Sequence, residues 1–242
     1  MPTETFDARG RPRIWQHDYL HLRPLARDLA ARAAALGRID RVLDVGSGGT
    51  PYRMHFVTRD YLRVDFDPEA TPDVVARAEA LPFPDGVFDV VVSTQLLGLV
   101  DDPAAFAREI ARVVRPGGAV LVSAPAAWPY DSARVEHRFG RPQLPPLFPG
   151  LTIREIVRQG GLLALPFAAF NTVVREAAIA ARRRLGVAAA PVGWIAVALF
   201  VAANVAGRVL ERLAERGPLA AFLGYLDARL PMNWLVVAER AS

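Results

Sequence analysis

The sequence predicts an α/β fold built around a mostly parallel sheet. Three observations predict it: short apolar strands alternate with helical segments between residues 41 and 123, a glycine-rich turn directly follows the first strand, and apolar residues recur at helical spacing outside this region. Such alternation is typical of parallel strands joined by helical crossovers. The chain has 242 residues, which is enough to bury the core of one large domain.

The elements of the first half have clear start and stop signals. Apolar residues at helical spacing predict a helix over His17–Leu36, which Gly37 ends. Apolar runs predict five strands: Arg41–Val45, Tyr61–Asp65, Asp73–Ala76, Phe88–Ser93 and Ala119–Ser123. Thr50 and Asp102 are typical N-caps and each precedes a proline, so they predict two further helices, the second of which runs to Val114.

The second half is predicted to be mainly helical. Residues 128–150 are rich in proline and are expected to be irregular, and we predict a helix over Thr152–Gln159 and a strand at Leu162–Leu165 after them. Residues 167–230 are apolar and rich in alanine, which favours helices. The apolar run Asn233–Glu239 predicts a final strand.

The composition excludes several classes of chemistry. The chain contains neither cysteine nor lysine, so disulfides, thiolate sites, Schiff bases and a P-loop lysine are all excluded. Four scattered histidines predict no metal site. Residues 128–242 carry 14 arginines against 8 acidic residues, which indicates a partner surface. These arginines are interleaved with alanine and leucine, so we expect no nucleic-acid partner.

The segment with the strongest functional signal is Val42–Thr50, with the sequence VLDVGSGGT. Its glycines follow a strand and allow a ligand to approach the backbone, while a helix beginning after them would offer free N–H groups. Asp65 ends the next strand, where a carboxylate can accept hydrogen bonds from ribose hydroxyls. An ordinary turn between strand and helix has the same glycines, so this segment alone leaves both interpretations open.

Several segments together resemble one family. VLDVGSGGT resembles motif I of class I S-adenosylmethionine-dependent methyltransferases, and Val64-Asp65 resembles the acidic end of their second strand. The segment EALPFPDG (79–86), the strand Phe88–Ser93 and the segment REIARVVRPGG (108–118) are similar to the family's following turn, strand, helix and turn. The resemblance covers residues 41–125 and implies a Rossmann-like fold of seven strands, the last antiparallel, with S-adenosylmethionine as cofactor.

The resemblance also implies roles for particular residues. The methionine and ribose side of the cofactor would meet Asp44, Gly46, Ser47 and Gly48. Asp65 would bind the ribose hydroxyls, and Ser93 would face the cofactor from the end of the fourth strand. The turn at Ala78 and Glu79 would meet the adenine.

The sequence departs from the family pattern at three places. Thr50 stands where motif I usually has its third glycine, Arg77 stands where an acidic residue is common, and Gly98-Leu99 replaces a Glu-His pair near the transfer site. Methyl transfer is an in-line displacement that depends strongly on positioning, and a base is needed only for a protonated acceptor. The candidates for that base lie in the loop after the fifth strand: Tyr130, Asp131, Glu136 and His137.

The segment 185–207 carries no charge and is bracketed by arginines. Its length would allow it to span a membrane, but a final strand that returns to the sheet argues against a single crossing. A buried helix, a dimer contact and a helix on a membrane surface remain open. We expect an N-terminal arm and helix over 1–40, a Rossmann-like cofactor-binding core over 41–166, an apolar helical cap over 167–230 and a returning strand over 231–242.

The leading functional hypothesis is a methyltransferase acting on a small-molecule, glycan or lipid-linked acceptor. The polar N-terminus predicts a cytoplasmic protein, located at the inner face of the membrane if 185–207 contacts lipid. One alternative is a non-catalytic binding or scaffold protein of the same fold. A second is an NAD(P)-dependent oxidoreductase, although Pro51 occupies the place of the third glycine in that fingerprint.

Overall fold

The computed structural model describes residues 7–49, 52–127, 137–216, 220–227 and 230–241. It contains seven strands: β1 Arg38–Val45, β2 Val57–Asp65, β3 Val74–Val75, β4 Phe88–Ser93, β5 Val114–Pro125, β6 Leu151–Gln159 and β7 Asn233–Arg240. Its α-helices are α1 Asp7–Gly10, α2 Tyr19–Leu36, α3 Pro103–Val113, α4 Leu144–Leu147, α5 Leu165–Leu185, α6 Ala190–Arg216 and α7 Ala220–Asp227.

All seven strands form one sheet in the order β3-β2-β1-β4-β5-β7-β6. The strands β1 to β5 pair in parallel, whereas β7 lies antiparallel between β5 and β6. The prediction of a mostly parallel seven-stranded sheet with an antiparallel final strand is therefore confirmed. Because β1, β2 and β4 are parallel neighbours, their carboxyl ends meet at one edge of the sheet, where ligands bind in folds of this type.

Two predicted elements after residue 150 are wrong. Thr152–Gln159, predicted as a helix, belongs to strand β6, which pairs with β7 along its length. Its β-branched residues Thr152, Ile153, Ile156 and Val157 fit a pleated strand better than a helix. The predicted strand Leu162–Leu165 is instead a turn that leads into α5.

The helix predicted after the glycine turn is also absent from the described residues. Thr50 and Pro51 lie outside them, and Arg53–His55 form a single 3₁₀ turn before β2 begins at Val57. The backbone donors that the structure places beside the candidate site are consequently those of the glycine turn. By contrast, the helix predicted from Asp102 is present as α3, where the Asp102 carboxylate accepts hydrogen bonds from the N–H groups of Ala104 and Ala105.

Apolar layers cover both faces of the sheet. On one face α3 packs Phe106 and Ile110 against the strands, and on the other α2 packs Leu25 and Leu29. All four side chains are fully buried, and burial of each such side chain is worth about 1.5–3 kcal/mol. The sheet is thereby held between helices, and the carboxyl ends of its central strands are fixed in place.

Arg112 joins two of the segments that carry the family resemblance. Its guanidinium, from α3, donates to the carbonyl oxygens of Leu81 and Phe83 and pairs with Asp85 and Glu109. A planar guanidinium with five donors can hold several acceptors at once. The LPFPDG turn and the helix after β4 are therefore one bonded unit.

The apolar helices α5, α6 and α7 follow β6 and precede β7. A pair of buried asparagines fixes α6 to the rest of the protein: Asn204 donates to the carbonyl oxygens of Ile14 (2.7 Å) and Gln16 (2.8 Å) and accepts from Asn171 of α5 (2.8 Å). Asn171 also donates to the carbonyl of His17. The charge-free segment thus has one side packed on the body of the protein.

Candidate functional site

A cleft of about 440 Å³ opens at the carboxyl ends of β1 and β2. This volume lies within the range usual for sites of small ligands and cofactors. The lining contains apolar side chains from the segment after β4. It also contains residues of three regions predicted to bind the cofactor: the glycine turn, the end of β2 and the turn at Ala78 and Glu79. Its residues are Val45, Gly46, Val64, Asp65, Phe66, Ala76, Arg77, Ala78, Glu79, Leu96, Leu99, Val100 and Asp101.

The glycine turn brings bare backbone to the cleft. Gly46 has φ +71°, a conformation that favours glycine, and a Cβ at this position would lie 2.7 Å from Cδ2 of Leu96. The N–H groups of Gly46 and Ser47 donate to the carbonyl of Val64 at 2.8 and 3.1 Å, which ties the turn to β2. The positive φ therefore favours glycine at position 46, and a side chain there would also require Leu96 to move.

The carboxylate of Asp65 is held at the cleft by backbone N–H groups. One carboxylate oxygen accepts from the N–H of Gly48 at 2.9 Å and the other accepts from the N–H of Asp67 at 3.1 Å. The residue is only 8% exposed, yet it lines the cleft. Each carboxylate oxygen can accept further hydrogen bonds, so the arrangement suits a ligand with adjacent hydroxyl groups, such as ribose.

Asp44 lies beneath the cleft rather than in its lining. It is 2% exposed and accepts a hydrogen bond from the hydroxyl of Tyr61 at 2.8 Å. Burial, with a smaller contribution from the nearby charge of Asp65, raises the pKa of Asp44 to about 7. This acidic residue therefore binds its proton far more tightly in the folded protein than in the unfolded chain.

The raised pKa predicts a pH-dependent effect of Asp44→Asn on stability. The carboxyl of Asp44 ionises near its ordinary pKa of 3.8 in the unfolded chain and only near 7 in the folded protein. The contribution of this group to the free energy of unfolding of the wild type is therefore lost as pH rises between these two values. The stability advantage of Asp44→Asn over wild type should grow across that window and level off above it. Urea unfolding at several pH values measures this difference, and Asp40→Asn, an exposed change on the same strand, is the control. A difference that is independent of pH would contradict the prediction.

The side of the cleft expected to hold adenine is bordered by three charged residues that form ion pairs and hydrogen bonds with one another. Glu79 accepts from the N–H of Asp101 at 3.0 Å and from Arg77 at 3.1 Å, and Arg77 also pairs with the Asp101 carboxylate at 2.5 Å. Ala78 lies between these residues in the lining. Arg77, which departs from the family pattern, is therefore neutralised by two carboxylates at the mouth of the cleft.

Three other predicted cofactor residues, Ser47, Gly48 and Ser93, do not contribute to the lining of the cleft. Ser93 is fully buried and its hydroxyl donates to the carbonyl of Val45 at 2.8 Å, which ties β4 to β1 just before the glycine turn. Ser47 is 4% exposed, and its hydroxyl oxygen has no hydrogen-bond partner among the described residues. A buried polar atom without a partner is costly, and a polar ligand group at the turn would satisfy it.

His137 lies against the segment in which the family's Glu-His pair is missing. Tyr130, Asp131 and Glu136 lie outside the described residues, but the N–H of His137 donates to the carbonyl of Gly98 at 2.8 Å. Its buried Nε2 has no partner within the described part of the chain. A Cβ at Gly98 would lie 2.6 Å from Cγ of Pro125, so a larger residue there would collide with the chain after β5. The backbone of His137 is thus held against the segment that follows β4.

Sequence reasoning missed a buried polar network at the same edge of the sheet. The side chain of Gln95 lies 2.8 Å from Nε2 of His21 and 3.2 Å from the hydroxyl of Ser123, and Asn233 contacts Nδ1 of His21 at 2.9 Å. Burial lowers the pKa of His21 to about 4, so its imidazole is neutral at physiological pH. Gln95 adopts φ +59°, which is unusual for this residue type. The network fixes the segment that forms one wall of the cleft.

Comparisons of the sequence identify relatives with a methyltransferase domain. Residues 43–122 match a family described as "Methyltransferase domain". The chain is 49% identical over 57 residues to a 2-methyl-6-phytyl-1,4-hydroquinone methyltransferase of Synechocystis, covering 22% of this chain and 18% of that protein. It is 32% identical over 130 residues to a demethylmenaquinone methyltransferase of Mycolicibacterium gilvum, covering 50% and 52%. The chain thus spans at most about half the length of these curated relatives.

Solved structures share the fold at low sequence identity. The [4+2]-cyclase SpnF superposes with a TM-score of 0.57 at 18% identity, covering 92% of this chain and 82% of the cyclase. An S-adenosylmethionine-dependent methyltransferase from Mesorhizobium loti superposes with a TM-score of 0.51 at 18% identity, covering 90% and 98%. At this identity the likeness establishes the fold alone.

Proposed function

We propose that the chain, whose residues 43–122 match a methyltransferase-domain family, is a class I S-adenosylmethionine-dependent methyltransferase that methylates a small apolar acceptor. The observation that carries this proposal is the Asp65 carboxylate, which is held at the cleft by two backbone N–H groups beside the glycine turn. When bound, the cofactor supplies a methyl group on a positively charged sulfur that is already a good leaving group.

The described residues fit this cofactor. Asp65 would accept hydrogen bonds from the ribose hydroxyls, and the turn at residues 46–48 would hold the methionine part, where the unpartnered hydroxyl of Ser47 offers a polar contact. Ala78 and Glu79 would contact the adenine. We propose that Asp44 and Ser93 support the glycine turn from beneath it. Each is buried and hydrogen-bonded to a neighbouring strand at the base of this turn.

The lining supports an apolar acceptor. Leu96, Leu99 and Val100 form the wall contributed by the segment after β4, and no charged residue stands at positions 96–100. The names of the two relatives refer to a phytyl hydroquinone and to demethylmenaquinone. We therefore propose a quinone-type small molecule in preference to a glycan or lipid-linked glycan. Acceptors of this type reside in membranes, which would place the reaction at the cytoplasmic face.

We propose that His137 accepts the proton of the acceptor. Its backbone N–H donates to the carbonyl of Gly98, which holds the residue against the segment after β4, and its Nε2 is buried without a partner among the described residues. A hydroxyl must lose its proton as the new bond forms, and a positioned base typically contributes about 10²–10⁴-fold to the rate. The neighbouring apolar wall would exclude water and keep the acceptor in line with the methyl group.

The proposal predicts transfer of a labelled methyl group from S-adenosylmethionine to a prenylated hydroquinone but not to a nucleotide sugar. His137→Gln should lower the rate of methyl transfer about 100-fold or more without changing cofactor affinity. The matched control is His55→Gln, in the 3₁₀ turn before β2, which should leave both the rate and the affinity unchanged. Mass spectrometry of the acceptor reports the product. A folded protein that binds the cofactor but methylates no acceptor would favour the non-catalytic alternative. Proteins of this fold do not all catalyse the same reaction, since one structural neighbour is a cyclase.

A further inference from the structure

We infer that α6 and α7 form a docking surface for a membrane of anionic phospholipid, and that an arginine-lined cleft beside them binds the lipid phosphate. The inference goes beyond the proposed reaction, because it concerns a surface that is separate from the cofactor cleft and does not depend on which acceptor is methylated.

The first observation is an apolar stripe that runs along the outer side of α6. With 27 residues, this helix is about 40 Å long. Trp194 is 78% exposed and Leu213 is 62% exposed, and apolar residues between them at helical spacing are also exposed: Ala198, Leu199, Ala202, Val205 and Val209. Soluble monomers rarely expose an apolar surface of this extent unless it binds a partner or a membrane.

The second observation is a cleft of about 320 Å³ with a strong excess of positive charge. Arg23 and Arg27 of α2, Arg158 of β6 and Arg208 of α6 line it, and Glu211 is the carboxylate in the lining. Glu211 pairs with Arg208 at 3.3 Å, and Arg27 pairs with Asp28 at 2.7 Å. The four arginines of the lining outnumber these two carboxylates. Burial, together with the neighbouring charge of Arg208, lowers the pKa of Arg23. Positive charges gathered in a partly buried cleft would be stabilised by an anion, and guanidinium groups bind phosphate oxygens well.

The apolar surface and the arginine-lined cleft both include residues of α6 and α7. Arg208 lines the cleft from α6, while Val205 and Val209 beside it belong to the exposed stripe. In α7, Gly224 lines the cleft and Phe222 and Tyr225 are exposed. A phosphate in the cleft would therefore lie beside apolar side chains, as a lipid headgroup lies beside its acyl chains.

Further arginines stand at both ends of the stripe. Arg182, Arg183 and Arg184 end α5 just before α6, and Arg212 and Arg216 occupy the last turns of α6. All five are exposed. Each basic residue near an anionic membrane surface contributes about 1 kcal/mol. An apolar face bracketed by arginine is typical of helices that lie in the membrane interface.

The packing of α6 favours a helix that lies on the membrane over one that crosses it. Ala190–Ala214, in which an 18-residue window has a mean hydropathy of 1.8, is the single described segment long and apolar enough to span a bilayer. However, Ala196, Phe200 and Asn204 on its inner side are buried against the rest of the protein. Crossing would break the hydrogen bonds of Asn204 and expose that side to lipid.

A second copy of the chain is a weaker candidate for the occupant. A twofold contact would bring the same patch of both copies together, so the arginines that bracket the stripe would face other arginines. Like charges at an interface are unfavourable, whereas an anionic membrane complements both the charge and the apolar stripe.

Vesicle sedimentation tests the inference with the full chain. The wild type should sediment with vesicles of equimolar phosphatidylcholine and phosphatidylglycerol, more weakly with phosphatidylcholine alone, and less as salt is raised. The double variants Arg23→Gln/Arg158→Gln and Trp194→Ser/Leu199→Ser should each bind roughly tenfold more weakly or worse. Arg38→Gln and Val57→Ser make the same changes at exposed positions of β1 and β2 and should leave binding unchanged. Cofactor binding by every variant confirms that it is folded.

Three results would overturn the inference. The first is a wild-type protein that binds cofactor but stays in the supernatant with both kinds of vesicle. The second is a dimer that Trp194→Ser/Leu199→Ser converts to a monomer while vesicle binding is absent, because the face would then be covered by a second copy. The third is binding of inorganic phosphate in the cleft by a protein that ignores vesicles, which would indicate a soluble anion. Loss of methyl transfer with vesicle binding intact would count against the proposed function alone.

Discussion

Asp65→Asn is expected to weaken S-adenosylmethionine binding about 10- to 150-fold. The carboxylate offers charged acceptors to the ribose hydroxyls, and a hydrogen bond to a charged group contributes about 1.5–3 kcal/mol. An amide also supplies one acceptor oxygen where the carboxylate supplies two, so it cannot accept from both Gly48 and Asp67 as Asp65 does. The loss of cofactor affinity therefore reflects a less firmly held glycine turn as well as the missing contact to the ribose.

Calorimetric titration with S-adenosylmethionine, S-adenosylhomocysteine and NADH measures this effect. Asp60→Asn changes an exposed carboxylate on the same strand and should leave affinity for both sulfur ligands intact. NADH should not bind either protein. If Asp65→Asn were folded and bound the cofactor as tightly as wild type, Asp65 would not hold the ribose and the proposed cofactor geometry would be wrong.

Asn204→Leu is expected to lower the free energy of unfolding by about 2–5 kcal/mol. The change deprives the carbonyl oxygens of Ile14 and Gln16 of their donor, and each buried polar group left without a partner costs about 1–3 kcal/mol. It also removes the acceptor that faces Asn171. Leucine has the same number of side-chain heavy atoms as asparagine and the same branching at Cγ, so the change removes the hydrogen bonds without creating a cavity.

Urea unfolding of Asn204→Leu, Asn171→Leu and the double variant measures the coupling between the two side chains. Because the residues are in direct contact, the double variant should lose less stability than the sum of the single ones. Val205→Ala, at the neighbouring exposed position, should change stability by no more than about 0.5 kcal/mol. A loss of similarly small size in Asn204→Leu would mean that α6 is held by its apolar contacts alone.

The sequence predicts the centre of the sheet better than its edge. Phe88–Ser93 was predicted with the bounds that β4 has, because a central strand buried on both faces is a continuous apolar run. The edge strand β6 has charged and apolar residues mixed along its length, which resembles the pattern of a surface helix. Its identity as a strand depends on pairing with β7, which lies more than seventy residues later in the sequence.

The same distinction applies to the candidate site. Gly46 and Asp65 could be predicted because each follows a strand end, and parallel strands bring such positions to one edge. The network of His21, Gln95 and Asn233 could not, because its members come from segments separated by up to 212 residues and none belongs to a motif. The arginine-lined cleft likewise collects side chains from α2, β6 and α6. Contacts of this kind are set by tertiary packing rather than by local pattern.

The close approach at Gly98 has a consequence for how this sequence can change over time. A side chain at position 98 and the present path of the chain through Pro125 and His137 compete for one volume. A mutation that restored the glutamate common in relatives would be harmful unless the segment after β5 moved first. The residue at position 98 and the path of the segment after β5 can therefore change only together.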